Sequence, residues 1–337
     1  MRSCLRHIRP LQSRLWLAST LLGLCFSAAQ AADRLTVQLD WLPGGDKSFV
    51  YAGVQQGFFQ AEGLELRIVP GRGSADAISR IATGSADVGF AGISALMMAA
   101  AEGGVPVKAV MSLYAKQPDA LFTRTDSRIT SLRDLKGKTV AMPTFSSSNA
   151  LWPVMLQNNG ITPDKIKIIK TDPSALAPML AHGRVDATIN WTTLAPAFSI
   201  VLAQAGKRLS VLPWTQFGLN GYGWSAMASD RIIKERPEVL RRYVRALTKA
   251  VQFSIQNPHK AVAALKAQVP ETDAALAQAE LEASIPLIKN EISHRHGLGR
   301  FHPELLASTW SWVAQSMHYS PQALNPESLV ERSFLGP

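Results

Sequence analysis

The chain has 337 residues, a length for one large or two ordinary domains, with 35 Lys and Arg against 25 Asp and Glu. Its basic residues are scattered along the sequence and not gathered into the stripe of a nucleic-acid face, so no nucleic-acid partner is expected. Both cysteines, Cys4 and Cys25, lie near the N-terminus, which leaves the remainder without a thiol, a disulfide or a cysteine metal site.

Arg2, Arg6, Arg9 and Arg14 precede an apolar run over 15–26 and the small-residue site Ala29-Gln30-Ala31. This pattern predicts a signal peptide over 1–31, too short in its apolar part to span a membrane comfortably, and a mature chain that begins at Ala32. Losing those four arginines takes the net charge from +10 to +6. Leu24, not a small residue, precedes Cys25, so no lipid anchor is expected.

A first strand is predicted over 35–39, a turn over 41–47, and a helix capped by Ser48 that runs to about residue 60. Next come a strand over 64–69, the turn Pro70-Gly71-Arg72-Gly73, a helix over 74–83, Gly84 as its stop, and Asp87 before a strand over 88–90. Ser94 caps a helix through Ala101, and strands follow over 107–113 and 120–123. The pattern then restarts with a short helix over 129–135, a strand over 137–142, the hydroxyl-rich loop 144–149 and a helix over 150–159. A strand over 166–169, Thr171-Asp172-Pro173, a helix over 174–182, Gly183 and Asp186 lead to a strand ending at Asn190-Trp191. Later strands are predicted over 209–212 and 223–228, and only helices beyond Asp230: 237–257, 258–268, 272–292 and 303–317.

The succession strand, turn, helix, Gly stop, Asp, strand therefore occurs twice, with Gly84 and Asp87 matched by Gly183 and Asp186. A repeated βαβ unit predicts an α/β chain of two similar lobes with a cleft between them, each lobe a mixed, mostly parallel sheet flanked by helices. The expected boundaries are 32–122 with 228–337 for lobe one, carrying the terminal helices, and 123–227 for an inserted lobe two. Hinge segments are expected at 123–125 and 224–228.

Ligands of open α/β sheets bind beyond the carboxyl ends of the strands. Four loops have that position: Asp40-Trp41 through Lys47-Ser48; Arg72-Gly73-Ser74; Gly92 to Ser94; and Ser146-Ser147-Ser148-Asn149. Each either offers free helix N-terminal N–H groups to an anionic or carbonyl group or is a plain helix cap. Trp41, Trp191 beside Asn190, Trp214 and Tyr222 either face a planar ligand or belong to the core. Asp40 and Asp46 are open to a cationic ligand group or to local turns, and Lys47 and Arg72 to an anion or to water. No G-x-S-x-G, Walker loop or H-E-x-x-H is present, and His294, His296 and His302 do not share a helix face. No catalytic residue, metal or cofactor is expected.

Leu39-Asp40-Trp41-x-Pro43, Tyr51-Ala52-Gly53, Gln56-Gly57-Phe58-Phe59-x-x-Glu62-Gly63-Leu64, Ala82-x-Gly84-x-Ala86-Asp87-Val88-Gly89 and Leu132-x-Asp134-Leu135-Lys136-Gly137 resemble the nitrate, sulfonate and thiamine-precursor family of solute-binding proteins. The resemblance implies the type II periplasmic-binding-protein fold, a periplasmic and usually monomeric receptor, and delivery of a small solute to an ABC permease. The Asp-Trp-x-Pro opening is most similar to the thiamine-pyrimidine branch, which commonly has a histidine near the position of Lys47; this chain has Lys47-Ser48-Phe49. The fungal synthases of that branch consume such a histidine and carry a cysteine-rich motif, so a binder is expected here, not an enzyme. A planar heteroaromatic or pyrimidine-like solute is ranked before an aliphatic sulfonate or other oxyanion. A sensor module is a further class that shares this fold.

Overall fold

A computed structural model describes residues 32–336; the expected signal peptide lies outside the described residues. The strands are β1 (Asp33–Gln38), β2 (Leu64–Val69), β3 (Val88–Gly92), β4 (Val107–Ser112), β5 (Asp119–Arg124), β6 (Thr139–Pro143), β7 (Lys167–Thr171), β8 (Ala187–Trp191), β9 (Leu209–Pro213) and β10 (Trp224–Ser229). The helices are α1 (Ser48–Gln55), α2 (Ser74–Ala82), α3 (Ile93–Gly103), α4 (Trp152–Asn158), α5 (Pro173–Ala181), α6 (Ala195–Gln204), α7 (Asp230–Glu235), α8 (Pro237–Gln256), α9 (Pro258–Gln268), α10 (Ala274–Ile288), α11 (Glu291–His296) and α12 (Pro303–Ser316).

Two five-stranded sheets form, ordered β2-β1-β3-β10-β4 and β7-β6-β8-β5-β9. Each has one antiparallel strand, β10 in the first and β5 in the second. The duplication extends to single atoms. The Asp87 carboxylate accepts from the Thr36 N–H at 2.9 Å, and the Asp186 carboxylate accepts from the Thr139 N–H at 2.8 Å. The two repeat aspartates thus satisfy the same edge of the strand beside them. The central strand β3 is buried along its whole length, as its unbroken apolar run requires. Helix α8 starts at Pro237 and buries Leu240, Tyr243, Leu247 and Val251 on one stripe.

Both antiparallel strands belong to the sheet on the other side of a crossing. The predicted boundaries therefore cut through them. Residues 120–122 pair in the second sheet, Trp224–Met227 pair in the first, and the chain passes between sheets over 113–118 and 214–223. The expected hinge segments 123–125 and 224–228 fall at the end of β5 and inside β10. An apolar strand carries no mark of which sheet completes it, so sequence alone misplaced the crossing. Helix α6 has no counterpart among the predicted elements, because its sequence APAFSIVLAQ is apolar nearly all round and shows no 3.6-residue stripe.

The terminal helices do not stay with the first sheet. Helices α8 and α9 pack on α1, but α10 also touches α6, and α12 lies against both α3 and α4. The Val154 N–H donates to Ser316 Oγ at 3.3 Å, and Gln315 donates to Asn158 at 2.9 Å. Met97, Trp152, Met155 and Trp310 share one core that runs across this junction.

Candidate functional site

Strands β1, β6 and β8 end at one cleft that encloses about 360 Å³ of empty space, part of it open to solvent. Asp40, Trp41, Asp46, Lys47 and Ser74 line it from the first sheet's side; Pro143, Ser146, Asn190, Trp191, Thr193 and Leu194 line it from the second's. The turn Gly45–Lys47 leads directly into α1, so Lys47 takes the helix cap position and its side chain turns inward.

Lys47 is 1% exposed. Its ammonium lies 2.7 Å from Asp46 and 3.9 Å from Asp40, and 4.3 Å above the Trp224 ring. Burial by itself would push the ammonium down; Asp46 and Asp40 together outweigh it and hold Lys47 above its usual range. Burial also pushes the Asp40 carboxyl up to about 6, against the pull of Lys47. Glu280 of α10 accepts from the Gly45 N–H at 2.8 Å. Burial, reinforced by the Asp46 carboxylate, pushes Glu280 up to about 7. Three carboxylates thus surround one cation, and that cation is already engaged.

Two acceptors at the cavity lack hydrogen-bond partners among the described residues: Asp40 Oδ1 and Asn190 Oδ1. They come from opposite sheets. Asn190 donates to Thr188 Oγ1 at 2.8 Å, which leaves its carbonyl end uncommitted. Thr193 Oγ1 donates to Asp46 at 3.1 Å and ties the two sides together.

Of the expected residues, Asp40, Trp41, Lys47, Ser74, Ser146, Asn190 and Trp191 meet at this cavity. Lys47 is not at a solvent position, because two carboxylates draw it inward. Ser74 is more than a helix start: its Oγ donates to Asp40 at 3.3 Å and accepts from the Gly92 N–H at 2.9 Å.

A second group forms the contact between the sides. A Cβ on Gly73 would stand 2.5 Å from the Phe145 carbonyl, and one on Gly92 would stand 2.5 Å from Ser147. Ser94 does not cap α3; its Oγ donates to Ser147 O at 3.3 Å, and Gly92 takes the cap position. Ser148 donates to the buried Asp119 at 2.5 Å, and burial pushes the Asp119 carboxyl up to about 6.

The remaining expected residues stand elsewhere. Ser48 is buried as the first residue of α1, and its hydroxyl has no partner among the described residues. Asn149 donates to Pro143 O and Thr144 O, closing its own loop. Arg72 is exposed beside Phe145, 5.7 Å from that ring. Tyr222 accepts from the His302 N–H at 2.6 Å and donates to Arg300 O at 3.2 Å, which pins the second crossing to the C-terminal segment. Trp214 stacks on Trp152 in the core. Sequence reasoning did not single out Glu280, Thr193 or Asp119. Glu280 had a signal: it shares the buried stripe of Ala277, Leu281 and Ser284, where a carboxylate is expensive unless partnered.

The family model described as "NMT1/THI5 like" matches residues 46–261. The chain belongs to the NMT1/THI5 like family. Relatives of this NMT1/THI5 like chain include the riboflavin-binding protein RibY of Chloroflexus aurantiacus, 26% identical over 280 residues that cover 81% of this chain and 78% of RibY. The formylaminopyrimidine-binding protein of Halalkalibacterium halodurans is 23% identical, with 80% of each chain covered. Among solved structures, the alkanesulfonate-binding protein SsuA from Xanthomonas axonopodis pv. citri, bound to MOPS, superposes with a TM-score of 0.69 at 17% identity, covering 89% of this chain and 98% of SsuA. That likeness shows the fold, the α/β architecture of periplasmic binding proteins.

Proposed function

We propose that this chain is the extracytoplasmic solute-binding component of an ABC importer, and that its solute is a small planar heteroaromatic bearing N–H donors, held between the two sheets and released unaltered to a permease. The observation that carries the ligand class is the charge balance of the cavity. Lys47 is hydrogen-bonded to Asp46 and ion-paired at 3.9 Å with Asp40 Oδ1, and the acceptors without a hydrogen-bond donor among the described residues are that same Asp40 Oδ1 and Asn190 Oδ1. An oxyanion placed there would meet carboxylates and find no basic lining residue besides Lys47 among the described residues, since Arg72 stands at the surface. A donor edge such as an aminopyrimidine offers would satisfy both acceptors, with Trp41 and Trp191 to pack on its faces. A solute without those donors would leave two buried acceptors unpaired, the strongest basis for rejection a binding site has.

Closure of two lobes about the crossings 113–118 and 214–223 would sequester the solute, with the chain working as a monomer. The named ligands of RibY and the formylaminopyrimidine-binding protein, both nitrogen heteroaromatics, support this reading. Titration calorimetry with an aminopyrimidine and with an alkanesulfonate tests it: heat with the first and none with the second is expected. Heat with the sulfonate alone would return the site to the oxyanion reading.

A further inference from the structure

Beyond residue 31 the net charge of +6 belongs entirely to one part of the molecule. The stretch 113–223, which builds most of the second sheet and both crossings, contains 12 Lys and Arg, 6 Asp and no Glu, while the rest of the chain from residue 32 contains 19 of each sign.

The duplicated fold supplies an internal control. Where the strands of the first sheet begin, five basic groups are matched: Asp33 pairs with Arg236 and Arg242 at 2.8 and 2.6 Å, Glu62 with Arg245 and Lys249 at 2.6 and 3.5 Å, and Asp87 with Arg231 at 3.6 Å. At the same end of the second sheet Asp126 pairs with Arg124 and Lys207 at 3.1 and 2.8 Å and Asp164 with Lys165 at 3.1 Å, while Asp186 lies 3.9 Å from Lys138 with its other oxygen taken by the Thr139 N–H. Asp134 is occupied by the N–H groups of Thr130 and Ser131. Arg133, Lys136 and Lys167 are exposed and have no carboxylate partner among the described residues. Arg133, Lys136 and Lys165 border one surface depression of about 810 Å³. Residue Thr139 starts β6 at this face and Pro143 ends it at the cavity, so the face stands off from the cleft by roughly 13 Å, four steps at about 3.3 Å each.

We infer that this face docks on an anionic phospholipid surface. Arg133, Lys136 and Lys167 are long, exposed and without a carboxylate partner among the described residues. Such a set suits a smeared field of phosphates and not one small ligand, and its attraction grows with each basic group and is screened by salt. Because the face lies at the opposite end of the strands from the cavity, docking leaves the cleft free. The inference does not depend on which solute binds.

Residues 32–337 form one compact unit, so the test uses that chain, freed of the apolar run 15–26. The protein is sedimented with phosphatidylcholine vesicles with and without phosphatidylglycerol. Association at least about tenfold stronger with the anionic vesicles, and lost at high salt, is expected. Arg133→Gln, Lys136→Gln and Lys167→Gln together should remove most of that difference. Lys234→Gln, Lys260→Gln and Lys266→Gln, which take the same charge from the balanced part, should leave it. Equal binding to both vesicles, or equal loss in both triple variants, would overturn the inference. So would retention by the isolated permease with no vesicle binding, which would assign the face to an acidic protein surface.

Discussion

Replacing Asp40 by Asn should make the solute-free protein more stable at pH 8 while weakening solute binding. Asp40 is fully buried in the cleft, and burial raises its carboxyl from the ordinary 3.8 to about 6 despite Lys47 nearby. A carboxyl whose folded value is raised holds its proton more tightly folded than unfolded. Its penalty is therefore absent below about pH 4, grows as the pH rises, and is complete above the folded value of about 6. At about 1.36 kcal/mol per pH unit, the difference is roughly 3 kcal/mol at pH 8. Asn resembles the protonated acid in shape and can still accept from Ser74, so it removes up to that amount. Thermal unfolding followed by circular dichroism should then show a midpoint several degrees higher at pH 8, at roughly 2–4 °C per kcal/mol for a chain near this size, and little change at pH 4. Affinity for an aminopyrimidine should fall about 10- to 100-fold, the worth of a hydrogen bond to a charged group. A variant that is less stable at pH 8, or that keeps the wild-type slope between pH 4 and 8, would refute the placement of Asp40 as a strained buried carboxylate.

A permanently cationic N-alkylated aminopyrimidine should bind more tightly at pH 8 than at pH 5, because Asp40 and Glu280 ionise near 6 and 7; calorimetry that finds no pH dependence would count against their part in the site. Gly92→Ala should weaken solute binding about tenfold, since its Cβ would meet Ser147 across the junction, and Ser147→Gly in the same chain should restore it. Tyr222→Phe should cost about 1–3 kcal/mol in urea unfolding by leaving the His302 N–H unpaired, with affinity unchanged. Arg72→Ala should leave the affinity for the aminopyrimidine unchanged, and a measured loss would place Arg72 in the site after all.

The repeat was legible because its cause is local. Gly84 and Gly183 end helices in the left-handed region, at φ 77° and 69°, and a short polar residue three positions later starts the next strand. Helix and strand periods are likewise local, which is why most elements fall where they were predicted. The exchange of β5 and β10 between sheets was not legible, because pairing is decided by partners far along the chain, in β8 and β9 for β5 and in β3 and β4 for β10. The same holds for α12: its apolar stripe could be read, but not that it would lie against α3 and α4 together. In the site, Asp40, Trp41, Asn190 and Trp191 followed from their places after β1 and in β8. The inward turn of Lys47 did not, because a lysine beside an aspartate in a glycine turn usually reads as solvated. Asp40 and Asp46, with Glu280 brought by α10 from the far end of the chain, make that turn a buried charge cluster.

The central claim is that a donor-bearing heteroaromatic is clamped between the sheets and leaves chemically unchanged. Native mass spectrometry of the protein purified from its own cells, followed by release of the bound solute, tests it most directly. The account predicts one nitrogen heteroaromatic with free N–H groups, of the same mass before and after incubation with the protein. A sulfonate or phosphate in its place, or a solute released at a different mass, would contradict it.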